Sequence, residues 1–80
     1  MAKFLITMPR MDEQQIKTAC SKVLMAATGS KLKMDAAYVD VADSQATCIW
    51  DAPDRKSVED LFARAGLKPE RVREVMPYTA

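Results

Sequence analysis

Histidine is missing from all 80 residues. Its absence removes the commonest general base and the commonest metal ligand available near neutral pH. An excess of one charge is missing too, since twelve Lys and Arg stand against eleven Asp and Glu for a formal net charge of +1. Binding to phosphate backbones needs clustered cationic surface, so no nucleic-acid partner is expected. No apolar run approaches the ~20 residues that cross a bilayer. Pro9 and Arg10 end the first apolar run early, which is unlike a signal peptide. No membrane partner is expected, and a cytoplasmic location is. Cysteine is scarce: Cys20 and Cys48 are too few for a disulfide framework and read as buried thiols in a reducing compartment.

What remains is an ordinary globular balance, 49% hydrophobic and 29% charged, in one domain spanning residues 1–80. A chain this short buries only about 60–65% of its unfolded surface, so pairing with a second copy is a natural way to complete its core.

Lys3 to Met8 has strand length and apolar groups on both faces, Phe4 and Ile6 on one and Leu5 on the other, as a central strand would. Asp12 followed three residues later by Gln15 has the spacing of a capping box. Behind it Ile16, Ala19, Cys20, Val23, Leu24 and Ala27 recur as one helical stripe over about Glu13 to Thr28. Gly29 ends that helix, and Leu32 to about Val41 reads as a second strand, with Met34, Ala36 and Tyr38 sharing a face. Asp40 to Ser44 is a turn, so the strand that follows at once, Gln45 to Trp50, pairs antiparallel with the second. That third strand is short and apolar enough to be buried on both faces. Pro53 closes it, Asp54 caps a second helix with Val58, Leu61, Phe62 and Ala65 as its stripe, and Gly66 stops that helix. Arg71 to about Met76 is a last strand, limited by Pro77, with Tyr78 to Ala80 as a loose tail.

The order βαββαβ predicts a ferredoxin-like α+β sandwich: one four-stranded antiparallel sheet with two helices on one face. Met34 and Tyr38, with Trp50 or Ile49 and Phe4 or Leu5, would leave the other face too apolar to be bare. Two such sheets packed face to face form a dimeric α/β barrel, and a homodimer is expected.

Cys48 through Pro53, then Val58, then Ala63 through Leu67, and finally Val72 through Val75 resemble a small bacterial domain-of-unknown-function family whose best-known member is a nickel-binding protein. Ala37-Tyr38-Val39 sits where that family tends to carry Ser-Tyr-Val, and Phe4-Leu5-Ile6 suits its opening. The resemblance implies the ferredoxin-like fold and the dimeric barrel, and points towards metal binding. The chain departs from the pattern where relatives often carry histidine: Ala36 stands two residues before the tyrosine, and Leu61 stands in the second helix. Nickel chemistry is therefore not carried over.

No paired-carboxylate or nucleophile motif is evident, and the residues name no cofactor. Three readings follow. The first is a binding protein whose pocket between sheets takes a small apolar or amphipathic ligand, lined by Met34, Tyr38, Cys48 and Trp50. The second is a cofactor-free oxygenase or isomerase of the dimeric-barrel kind, using Tyr38 or an acidic residue, supported by fold analogy alone. The third is a soft-metal binder using Cys48 with Met8 or Met34, a donor set suited to Cu(I). Each residue also has a plainer role: a buried cysteine or methionine packs a core, and a lone tyrosine or tryptophan packs an interface.

Overall fold

β1 (Ala2–Thr7) runs through the middle of the sheet because it can offer apolar side chains to both sides. β3 (Gln45–Ala52) and β4 (Arg71–Val75) flank it, and β2 (Lys33–Asp40) lies beyond β3, giving the order β2-β3-β1-β4 with every pairing antiparallel. α1 (Glu13–Ala27) and α2 (Arg55–Arg64) complete the ferredoxin-like βαββαβ arrangement. The computed structural model describes residues 1–78. Of the expected tail, Tyr78 is exposed, and Thr79 and Ala80 lie outside the described residues.

The helix ends follow from short local signals. Asp12 accepts the Gln15 backbone N–H at 2.8 Å while the Gln15 side chain accepts the Asp12 N–H at 3.0 Å, a complete capping box. Asp54 likewise accepts the Ser57 N–H at 2.8 Å and the Ser57 hydroxyl at 2.7 Å. These two bonds hold the Asp54 carboxyl below its ordinary range. Gly66, at φ 74°, lets the Leu67 N–H reach the Phe62 carbonyl and its own N–H reach that of Ala63. That is the left-handed helix stop for which a side chain would be strained.

The buried core lies between sheet and helices: Phe4, Ile6, Trp50, Ala52, Val58, Leu61 and Phe62 are at most 1% exposed. Trp50 and Phe62 meet edge to face, with centroids 6.2 Å apart, a contact adding about 0.5–1.5 kcal/mol beyond the area it buries. Phe4 and Trp50 thus take the helix side, leaving Leu5 and Ile49 on the outer face.

Four expectations are corrected. β3 is not buried on both faces, because only alternate residues Cys48, Trp50 and Ala52 are buried. It also runs two residues further, since Asp51 and Ala52 still find partners in Lys3 and Ala2. In β2, a register shift falls between Met34, opposite Trp50, and Ala36, opposite Ile49. Antiparallel partners share a face, so the extra residue Asp35 puts Met34 on the helix side and Ala36 and Tyr38 on the outer side. On α1, Leu24 is 43% exposed rather than buried, and only Ala19 and Val23 are fully covered.

Candidate functional site

α2 presses Val58, Leu61 and Phe62 onto the sheet, whereas α1 turns mainly Ala19, Cys20 and Val23 towards it. The strand residues below α1 are also small, Ala37, Ala46 and Cys48. Small groups facing small groups leave a cavity of about 120 Å³ between α1 and the β2–β3 side of the sheet. Its wall is almost wholly apolar, and none of the described residues lining it is Asp, Glu, Lys or Arg. Val39 and Tyr38 also line it and are 51% and 65% exposed, which puts the mouth at the β2 edge.

The four residues expected to share a pocket are distributed as follows. Met34 and Cys48 line this cavity from the sheet, and Tyr38 borders its mouth. Trp50 does not line it; it lies beneath α2 against Phe62. Cys48 and Trp50 both face the helices, so neither can line a chamber closed by the outer faces of two sheets. The indole is still tied to the cavity wall, because Trp50 Nε1 donates to Cys48 Sγ at 3.2 Å. Burial pushes the Cys48 thiol up, the indole N–H partly opposes this, and the nearby Cys20 adds to the rise.

Three further sulfur-bearing residues line it: Met8, which the soft-metal reading pairs with Cys48, and Cys20 and Met11, to which the sequence assigns no site role. The signal for Cys20 was present, since it shares the α1 stripe with Ala19 and Val23. Both cysteines are free thiols, Cys48 buried and Cys20 partly so.

The outer face carries different chemistry. Ala36, Ile49, Leu5 and Arg73 are successive partners in one row across the sheet. Beside that row Lys3 Nζ donates to Asp35 and, at 2.9 Å, to Asp51 Oδ1. The bond to Asp35, then that to Asp51, raises the Lys3 pKa, and the Lys3 bond lowers that of Asp51. The ammonium occupies the two carboxylates, and among the described residues no group of three or more His, Cys, Asp or Glu could hold a metal ion. Ala36 and Leu61, the positions at which the family resemblance leads one to expect histidine, do not meet: Ala36 lies on the outer face and Leu61 is fully buried beneath α2. No helix among the described residues is long and apolar enough to cross a membrane.

Comparison with known proteins follows the same architecture. A profile of the family described as "Nickel responsive protein SCO4226-like" matches residues 6–75. The crystal structure of SCO4226 from Streptomyces coelicolor A3(2) superimposes with a TM-score of 0.78 over 99% of this chain and 100% of that one, at 24% sequence identity. No curated protein matches.

Proposed function

The chain belongs to the nickel responsive, SCO4226-like family, and we propose that it is a small non-enzymatic binding protein whose ligand enters the apolar cavity beneath α1. The cavity itself carries the reading. At about 120 Å³ it is close in size to apolar protein cavities of about 150 Å³ that stay dry and admit benzene or xenon. Ligand pockets are concave and mostly apolar with a few placed polar groups, and here those groups are the two thiols of Cys20 and Cys48. Nickel does not fit the donors present: Ni(II) favours imidazole among side-chain donors, and the chain has none.

The working form in this proposal is a homodimer in the cytoplasm, joined through the outer sheet faces into a dimeric α/β barrel. Leu5, Ile49 and Ala36 form the apolar centre of that face, and an 80-residue chain gains a larger core by covering it. Leu5→Lys would place two like charges near the two-fold axis. Native mass spectrometry is expected to show a dimer for the wild type and a monomer for this variant.

Benzene tests the pocket. At ten times its Kd it should stabilise the wild type by about 1.4 kcal/mol, which raises Tm by roughly 6–11 °C in a domain of this size. Ala19→Leu, which fills the cavity from α1, should abolish the rise. An equal rise in both proteins would mean that the ligand sits elsewhere.

A further inference from the structure

We propose that the cavity beneath α1 is a Cu(I) site, in which Cys20 and Cys48 hold the ion and the thioethers of Met8, Met11 and Met34 complete its shell. The inference rests on the pocket reading above and names its ligand. Five of the chain's eight sulfur-bearing side chains line this one small space, while Met25 and Met76 are exposed elsewhere. Thiolate and thioether sulfur are the donors that select Cu(I). Zinc sites draw on Cys, His, Asp and Glu, whereas beyond its two thiols this wall offers thioether sulfur.

Forming the two Cu–S bonds breaks both S–H bonds and releases two protons to solvent; copper stays Cu(I) and no electron moves. Trp50 Nε1, 3.2 Å from Cys48 Sγ, donates to the ligating sulfur from outside the shell and keeps it oriented, as outer partners of metal ligands do. The open β2 edge at Val39 and Tyr38 gives the ion its entry.

The test is an anaerobic titration of the reduced protein with Cu(I) against a chromogenic Cu(I) chelator, with tryptophan fluorescence read in parallel. Trp50 is the only tryptophan, so its quenching reports on this site. One Cu(I) per chain is expected, with affinity rising about a hundredfold per pH unit while two thiol protons are displaced. Outer-shell partners of a metal cost roughly 10–100-fold when lost. Trp50→Phe should fall in that range, and Cys20→Ser and Cys48→Ser should exceed it. Met34→Leu should weaken binding, whereas Met25→Leu should leave it at the wild-type value. Cys20 is only partly buried, so Cys20→Ser decides the matter if Cys48→Ser fails to fold. Wild-type affinity in both Cys20→Ser and Met34→Leu would overturn the site, as would equal binding of Zn(II) or Ni(II) at Trp50. If benzene binds and Cu(I) does not, the metal inference falls and the pocket stands; if neither binds, both fall.

Discussion

The two helices cover the same sheet and do so differently. Under α2 the side chains are large and complementary, with Trp50, Phe62, Val58 and Leu61 at most 1% exposed. Under α1 several facing residues are small, Ala19 with Ala37, Ala46 and Cys48, Leu24 turns outward, and a cavity remains that methionines and other apolar side chains border without filling. Close packing is what holds a small fold in one conformation. A half that gives it up does so at a cost of about 24 cal/mol per Å³ of space left empty. The α2 half therefore holds the fold, and the α1 half leaves the space that we propose a ligand fills. The division lies in side-chain volume, because both helices carry a working N-cap.

The largest expected effect tests the α2 half directly. Trp50→Ala should cost about 3–5 kcal/mol, against roughly 4–12 kcal/mol for a whole domain of this length, and urea unfolding followed by circular dichroism will show it. A loss below ~1 kcal/mol would mean that this half is no better packed than the other. Next comes a matched pair of insertions. Ala52→Leu, in the closed core, should cost about 1–3 kcal/mol from overpacking, while Ala19→Leu should cost nothing or stabilise by filling space. Equal costs at the two alanines would erase the contrast. Smaller again are the caps: Asp12→Ala and Asp54→Ala should each cost about 1 kcal/mol. Hydrogen exchange should place the added fraying in α1 for the first and α2 for the second.

The pH dependence is the finest test. Burial raises the folded Cys48 pKa above its unfolded value, so the folded state binds more protons once pH passes the ordinary thiol range of ~8.5. Stability should fall from there upward until the folded thiol also ionises. Cys48→Ala should flatten that alkaline slope, and a slope unchanged by the substitution would place its origin elsewhere. Asp51 and Asp54 act in the opposite direction. Their folded pKa values are lowered, so their contribution is present above the unfolded carboxylate range of ~3.9 and fades as pH drops through the lower folded values.

Local signals in the sequence were legible: the Asp12–Gln15 box, the Asp54 cap, the Gly66 stop and the element order all stand where the spacing put them. Parity along β2 misleads, because a bulge adds one residue without any mark in composition: strict alternation puts Met34 and Tyr38 on one face, and Asp35 turns them to two. The sequence also left Trp50 and Ile49 undecided, as both are apolar; Phe62, from an element further along the chain, settles which one points inward. The cavity was the least legible feature. It exists because Ala19, Ala37, Ala46 and Cys48, each unremarkable in its own segment, face one another across the α1–sheet gap. Cys20 reaches Cys48 only through that crossing.

The methionines allow the central claim to be read in one experiment. With their methyl groups carbon-13 labelled, benzene is titrated into the protein and all six signals are followed by NMR. Met8, Met11 and Met34 should shift together and saturate with a common Kd, while Met25 and Met76, exposed and away from the cavity wall, should stay in place. Shifts of equal size across all of them, or none at Met8, Met11 and Met34, would contradict a ligand space beneath α1.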